Sequence, residues 1–319
     1  MASIIDKISY RGQETMVVAA PLFHSWGFFH FLISLPTAST LVLRRRFDPE
    51  ETLKAVQEHR AEVLAVVPVM LQRILQLPEE TLAKYRLPSL RITSISGSAL
   101  PGELALGWMD RFGDSVYNLY GSTEVSWATV ATPQDLRAAP GTAGRPPRGT
   151  VVRLFDEQGR EVPRGEVGRI FVGNEMAFEG YTGGGGKEVI DGLYSSGDVG
   201  HIDADGRLFI DGRDDEMIVS GGENVFPREV EDLLADHEGV AEVAVIGVED
   251  PEFGQRLKAF VVTNAAFDLS PEDITAHVKA NLAAYKTPRE VEFLEELPRN
   301  ATGKVLKREL RDREGQKAG

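Results

Sequence analysis

Between residues 41 and 120, short apolar runs alternate with helical stretches. "LVLR" precedes "FDPEETLKAVQEH", and "VLAVV" at Val63–Val67 precedes a helix opened by Pro68. "RITSIS" at Arg91–Ser96 leads through "GSALP" into "GELALGWMDRF", and "SVYNLY" at Ser115–Tyr120 closes the series. Parallel strands need crossover connections, usually helical, so this alternation argues for a parallel, doubly wound sheet. One helix start is spelled out: Asp48 stands at the N-cap, Pro49 at the first helical position and Glu51 at the third, as in a capping box. Ligands of such sheets gather at the carboxyl ends of the strands. Two loops leave those ends, Gly97-Ser98-Ala99 and Gly121-Ser122-Thr123-Glu124, and a site is expected there.

From about residue 150 the texture changes. "TVVRLFDEQGREV", "GEVGRIFVG" and "HIDADGRLFIDGR" read as short strands joined by turns, with Asp205-Gly206 a hairpin signal. "TGGGGKE" at Thr182–Glu188 reads as a surface loop. It does not fit the phosphate-binding spacing G-x-x-x-x-G-K-[ST], because Tyr181 stands where the first glycine belongs. After Arg213 come "FPREVEDLLADH", a helix begun by proline, the strands "VAEVAVIGV" and "LKAFVV", and "SPEDITAHVKANLAAY", a helix with Ser270 as N-cap. The expected fold class is therefore α/β. A partial doubly wound sheet (residues 1–145) and a β-rich subdomain (146–213) precede a small α+β domain (214–319). The junction "DGRDDEMIVSGGENVFPREVE" carries an arginine, a run of acids and the pair Gly221-Gly222, which permits backbone conformations or close approach that other residues forbid.

Composition removes several function classes. The chain has 319 residues, with 35 basic against 49 acidic, a net charge of −14 that disfavours nucleic acid as main partner. It has no cysteine, which excludes disulfides, thiolate metal sites and cysteine nucleophiles and fits an intracellular, cytoplasmic address. The N-terminal "MASIIDKISYRGQE" lacks a signal-peptide core, and the longest apolar run, Phe28–Leu35, is too short to span a bilayer. There is no G-x-S-x-G, no H-E-x-x-H and no G-x-G-x-x-G, and the six histidines have no metal spacing. Singly, Lys304 reads as a solvated lysine, Asp198 as a turn residue, Glu124 as a helix N-terminal acid and His24 as a core or surface histidine.

Together they read differently. In chain order stand "PLFHSWGF", "SGSALPGE", "YNLYGSTE", "GTAGRPPRG", "GRIFVGNEMAFEGY", "YSSGDVGHIDADGRLFIDGRDDEMIVSGGENVFPREVE" and "PRNATGKVLKREL". This order resembles the adenylate-forming acyl-CoA synthetases, from about Pro21 to Leu310, and most closely the bacterial fatty acyl-CoA ligases. The resemblance implies an ATP-dependent ligase that joins a carboxylic acid to CoA through an acyl-adenylate, with Mg²⁺. It implies that Gly97, Ser98 and Ala99 flank adenine, that Tyr120 stacks on it, and that Asn118, Gly121, Ser122 and Ile210 complete the nucleotide contacts. Thr123 and Glu124 would hold phosphates and Mg²⁺, Asp198 the ribose, and Arg213 the ribose or phosphate. Lys304 would meet the charge that develops as the carboxylate attacks phosphorus. His24, Trp26 and Gly27 would line the acyl entrance, whose apolar "PLFHSWGFFHF" leans toward medium or long fatty acids. Asp215 would be the hinge of a rotating small domain, Gly221 and Gly222 would form the CoA channel, and Lys286 would meet CoA phosphates.

One family feature has no counterpart. A Ser/Thr/Gly-rich phosphate loop ending in Pro-Lys belongs upstream of the "PLFH" motif, and none of the 20 residues before Pro21 resembles it. The expectation is a C-terminal portion of a ligase, poorly stable or oligomeric alone, whose sheet exposes an edge or an apolar face. The alternative is an impaired fragment that only binds AMP or acyl groups, or acts as a partner subunit.

Overall fold

The computed structural model describes residues 2–176, 180, 186–220, 223–251, 253–300 and 303–317, with the side chains of 215, 219, 224 and 315–317 excepted. Gly221, Gly222 and residues 182–185 of the glycine-rich loop lie outside the described residues. The chain divides into two compact units, Met1–Ser196 with Gly200–Ile210, and Gly197–Val199 with Asp211–Gly319.

The first unit opens with α1 (Ala2–Ile8), β1 (Thr15–Val18), α2 (Ser25–Ser34), β2 (Thr40–Leu43), α3 (Pro49–Glu58), β3 (Val63–Val66), α4 (Pro68–Leu75) and α5 (Glu79–Leu82). It continues with β4 (Ile92–Ile95), α6 (Gly102–Phe112), β5 (Val116–Ser122), β6 (Ser126–Ala131) and α7 (Pro133–Ala138). The six strands form one sheet in the order β2-β1-β3-β4-β5-β6, parallel except for β6, which runs antiparallel to β5. β3 and β4 are buried throughout. Alternate residues of β3 serve opposite faces: Leu64 and Val66 join one apolar cluster, Val63 and Ala65 the other.

Local chemistry sets the helix starts. The Asp48 carboxylate accepts from the Glu51 amide at 2.9 Å, with Pro49 at the first position. The return half of that capping box is not made, because the Glu51 carboxylate pairs with Arg44 and Lys54 instead. The full reciprocal box occurs at α7, between Thr132 and Asp135.

Sequence alone ends this sheet at Tyr120. The strand in fact continues through Ser122 and returns as β6, so Gly121 and Ser122 are strand residues and the turn is only Thr123 to Val125. The pairing has an irregularity between Tyr120 and Gly121. A Cβ on Gly121 would stand 2.0 Å from the Ser126 carbonyl oxygen, so the glycine allows the two backbones to close.

Beneath the sheet lies a buried polar chain. The Tyr10 hydroxyl is 2.9 Å from His30 Nε2 and 2.6 Å from Ser94 Oγ, and His30 Nδ1 is 2.9 Å from the Trp26 carbonyl. Nδ1 faces a carbonyl and must carry the proton, so the Tyr10 hydroxyl donates to Nε2 and Ser94 donates to Tyr10. Burial pushes His30 down to about 4, and burial pushes the Tyr10 hydroxyl up, so both stay neutral.

A second sheet contains β7 (Val151–Phe155), β8 (Gly168–Gly173), β9 (Val189–Ile190), β10 (Leu193–Ile202) and β11 (Leu208–Arg213), in the order β11-β10-β8-β7 with β9 on β10. Two of its turns share the pattern D-x-x-G-R. Asp156 accepts the Arg160 amide at 2.9 Å and Asp203 the Arg207 amide at 2.8 Å, while Gly159 and Gly206 take positive φ.

The second unit begins with a short 3-10 turn, Asp214–Glu216, then β12 (Ile218–Ser220), β13 (Glu223–Val225), α8 (Pro227–Ala235), β14 (Val240–Asp250) and β15 (Gly254–Thr263). α9 (Pro271–Asn281), a second 3-10 turn (Ala284–Lys286), β16 (Glu290–Phe293) and α10 (Lys307–Lys317) complete it. Its sheet runs β13-β12-β15-β14, with β16 parallel on β15. Ser270 caps α9, and Asp273 returns the bond to the Ser270 amide. No helix among the described residues is long and apolar enough to cross a membrane.

Candidate functional site

β4 and β5 are parallel neighbours, with Ile95 opposite Asn118. Their carboxyl ends bring Gly97, Ser98 and Ala99 beside the segment from Asn118 to Glu124. Gly97 has φ +100°, a conformation that glycine adopts without strain, and Ser98 and Ala99 are exposed beside it. Asn118 is buried, yet among the described residues its side-chain oxygen has no hydrogen-bond partner. An unsatisfied buried acceptor costs about 1–3 kcal/mol, so a donor that reached this atom would be favoured. Tyr120 and Ile210 both pack against the cluster of Val125, Ala128, Leu154, Ile170 and Leu208, which gives the tyrosine ring an apolar backing.

Thr123 is exposed in the turn and Glu124 half-buried beside it. Among the described residues no group of three histidines, aspartates or glutamates could hold a metal ion. One hydroxyl and one carboxylate nonetheless suit Mg²⁺, which keeps its waters and is held by few carboxylates together with substrate phosphates. Asp198 on β10 and Arg213 on β11 form an ion pair at 3.2 Å, with the carboxylate the more buried partner.

Of the three residues expected at an acyl entrance, Trp26 and Gly27 also serve the packing of α2. The Trp26 indole donates to the Val66 carbonyl at 3.0 Å and stacks on Phe29, within the main core cluster. A Cβ on Gly27 would meet the Pro21 carbonyl oxygen at 2.3 Å, so this glycine lets α2 approach its own entry loop. His24 is the N-cap residue of α2 and makes no side-chain cap. In "PLFHSWGFFHF", Trp26 and Phe29 are packed in the core, while Leu22, Phe23, Phe28 and Phe31 are exposed.

In the second unit, Lys304 is exposed on a tight turn. Its amide donates to Asn300 Oδ1 at 3.0 Å, its carbonyl accepts from the Asn300 amide, and Gly303 takes φ +82°. Arg299 braces the turn from below, bonding the Gly303 carbonyl and Glu242. Three residues on, Lys307 pairs with Glu216 and Glu231 at 2.9 Å each. Burial alone would lower Lys307, but Glu231 and Glu216 outweigh it and hold the ammonium above its ordinary range. Glu216 belongs to the 3-10 turn that contains Asp215, so the expected hinge is tied to the start of α10.

Lys286 pairs with Glu229 on α8. The cations that sequence reasoning missed are Arg256 and Arg289. With Phe253, Tyr285 and Thr287 they line a cavity of about 150 Å³ that also touches Ser220 and Glu223. Arg289 lies 3.9 Å above the Phe253 ring. Arg256 pairs with Glu290 at 2.6 Å, but its Nε, 3.5 Å from Asp250, makes no hydrogen bond, and neither does the buried Thr287 hydroxyl. These residues come from β15, the loop before it and the segment before β16, and no spacing in the sequence announces the combination.

Residues 1–182 match the family of AMP-binding enzymes, and residues 229–304 match the AMP-binding enzyme C-terminal domain. The chain belongs to this family of adenylate-forming enzymes. It is 37% identical over 320 residues to a feruloyl-CoA synthase of Amycolatopsis sp, covering 98% of this chain and 64% of that protein. It is 34% identical over 312 residues to the indoleacetate–CoA ligase of Aromatoleum aromaticum, covering 96% and 61%. The o-succinylbenzoate CoA synthetase MenE of Bacillus subtilis, solved with an acyl-adenylate intermediate, superposes with a TM-score of 0.87 at 29% identity, covering 98% of this chain and 63% of that one. In each case the chain spans less than two thirds of the relative's length.

Proposed function

We propose that the chain carries the nucleotide and CoA sites of an ATP-dependent acid–thiol ligase. The observation that carries the reading is Asn118 Oδ1, a buried acceptor with no partner among the described residues, opposite the last residue of β4. Adenine supplies the missing donor through its exocyclic amino group. Gly97, Ser98 and Ala99 let backbone approach the ring, Tyr120 offers it a stacking face, and Ile210 backs the same cluster. Asp198, oriented by Arg213, accepts from the ribose hydroxyls.

In the first half-reaction a carboxylate oxygen attacks the α-phosphorus of ATP, the bond to the bridging oxygen breaks, and pyrophosphate leaves. Lys304 offsets the charge gathering on phosphorus. Mg²⁺, when bound, neutralises phosphate charge, with the Thr123 hydroxyl and the Glu124 carboxylate as its protein donors. In the second half-reaction the CoA sulfur attacks the acyl carbon, the thiol proton is released, the acyl–oxygen bond to phosphate breaks, and AMP leaves. The cavity of Phe253, Arg256, Tyr285 and Arg289 suits the adenine and phosphates of CoA, since it joins aromatic faces to two guanidinium groups. Lys286 contributes less, because Glu229 already compensates it. Gly221 and Gly222 remain assigned to the CoA channel and Asp215 to the hinge. His24 remains at the acyl entrance, with Trp26 and Gly27 shaping the wall rather than lining it. A fatty acid is the proposed substrate, and an aromatic acid its competitor, since the relatives named above act on feruloyl and indoleacetate groups.

A paired assay tests the reading. One arm offers a carboxylic acid, ATP, Mg²⁺ and CoA, and the other a preformed acyl-adenylate and CoA. Acyl-CoA in the second arm is the expected result. Acyl-CoA in neither arm, from a folded sample, overturns the ligase reading for this chain and leaves a nucleotide-binding fragment or partner subunit.

A further inference from the structure

α10 depends on what it docks against. It has eleven residues, a length at which an isolated helix is marginal in water. Of the eight side chains described on it, at 307–314, Leu310 is buried, Lys307 and Glu314 are half-buried, and the other five are exposed. Those three stand at spacings of three and four, so they form one inward stripe. Leu310 enters the apolar cluster of Ala244, Ile246, Phe260 and Leu297. Burying one leucine does not offset the entropy of ordering eleven residues, so the charged ends carry much of the docking. Lys307 stands in the first turn and Glu314 in the last, each the reverse of what the helix macrodipole favours. Their partners explain the reversal. Lys307 meets Glu216 and Glu231, and Glu231 is itself held by the Val245 amide at 2.6 Å. Glu314 meets Lys258 of β15 at 2.7 Å. Lys258 is buried and also pairs with Glu290 and Glu292 of β16, at 3.3 and 2.9 Å. Burial alone would lower Lys258, but Glu314 and Glu292 outweigh it and hold the ammonium above its ordinary range.

We propose that Lys307 and Glu314 are positioning residues that clamp α10 at both ends and, through it, hold the Lys304 turn. The turn runs straight into the helix. Val305, next to Lys304, pairs with Arg299 and packs against the same cluster as Leu310, and the Leu306 amide donates to the Pro298 carbonyl at 2.8 Å. Arg299 steadies the first half of the turn through the Gly303 carbonyl and Glu242. The second half is continuous with α10, so a helix that lifts takes Val305 and Leu306 with it. The pairing is graded. Lys258 keeps two carboxylates if Glu314 leaves, and Lys307 keeps Glu231 if Glu216 leaves, so either end loosens without stranding an ammonium in the interior. The inference rests on the ligase reading only for the task of Lys304, since the clamp itself is built within the second unit.

Amide hydrogen exchange, read by NMR on the full 319-residue chain, tests the clamp without nucleotide or turnover. A Glu216→Gln/Glu314→Gln variant removes one carboxylate at each end and leaves both ammonium groups paired. The expected result is at least tenfold faster exchange along 307–314 and at the Gly303, Lys304 and Leu306 amides, each hydrogen-bonded in the turn, with less than a twofold change across α9. Lys307→Met should accelerate the same amides at least as much, and Lys307→Arg should return them to within threefold of wild type. Unchanged exchange in the double variant overturns the proposal. So does acceleration along 307–314 that spares Gly303, Lys304 and Leu306, which would leave Arg299 as the brace. Equal acceleration in α9 overturns it too, since the ion pairs would then be general supports of the domain, as does a Lys307→Arg chain that exchanges as fast as Lys307→Met. A failed paired assay beside the expected exchange pattern would sink the ligase reading and leave the clamp standing.

Discussion

The carboxyl ends of β4 and β5 both carry a Gly-Ser pair, Gly97-Ser98 in the loop after β4 and Gly121-Ser122 as the last two residues of β5, and the two glycines answer different demands. Gly97 is a conformational glycine. Its φ is +100°, and a Cβ there would meet only Val67 Cγ1 at an ordinary 3.5 Å. Gly121 is a steric glycine. Its φ is not positive, but a Cβ would strike Ser126 O at 2.0 Å and Trp127 Cα at 2.9 Å. One loop is open and shaped by a torsion, while the other is closed by a neighbouring strand.

Substitution separates the two demands, from the largest effect to the smallest. Gly121→Ala forces backbone apart where neither strand can yield cheaply, so it should destabilise by about 3 kcal/mol, the upper end for overpacking, and lower Tm in calorimetry. A loss of under 1 kcal/mol would mean that β6 shifts freely and that the closed loop is not closed. Acid comes next, and it acts on β4. Ser94 of β4 is tied through Tyr10 to neutral His30, whose value is lowered by burial from 6.5 to about 4. The unfolded chain protonates His30 below 6.5 while the folded chain does not until about 4, so stability is retained above 6.5 and falls as pH drops between these limits. The loss is on the order of 3 kcal/mol. Urea melts of the wild type and His30→Gln across that window should diverge by this amount, and parallel curves would remove His30 from the account. Gly97→Ala should cost about 1–2 kcal/mol, the strain of a positive φ in an open space. A cost equal to that of Gly121→Ala would erase the distinction between the loops. Asn118→Leu should leave Tm unchanged or slightly raised, since it removes an acceptor that no described residue satisfies. A large drop would mean that the orphan had a structural partner.

What could be read in the sequence follows the same physics. β3, α3 and α9 are legible because a buried strand is a continuous apolar run and because Asp48 and Ser270 write their caps in the chain itself. β6 is not legible, since its start depends on the close approach that Gly121 permits, and Gly-Ser reads locally as a turn. α2 hides for the opposite reason. With Phe28 and Phe31 on one face and Trp26 and Ile33 on the other, it has no polar side to betray a helical period. At the candidate site the order of motifs points to Gly97, Asn118 and Tyr120, but not to the burial that makes Asn118 an orphan. The cavity of Phe253, Arg256 and Arg289 is assembled by a hairpin and a later loop, and no local pattern anticipates it.

The most direct measurement is a calorimetric titration of AMP into the 319-residue chain and into its Asn118→Leu variant, matched for thermal stability. The expected result is saturable binding by the wild type and at least tenfold weaker binding by the variant. Equal affinity in both, or no binding by a folded wild type, would contradict the assignment of the β4 and β5 carboxyl ends as the adenine site.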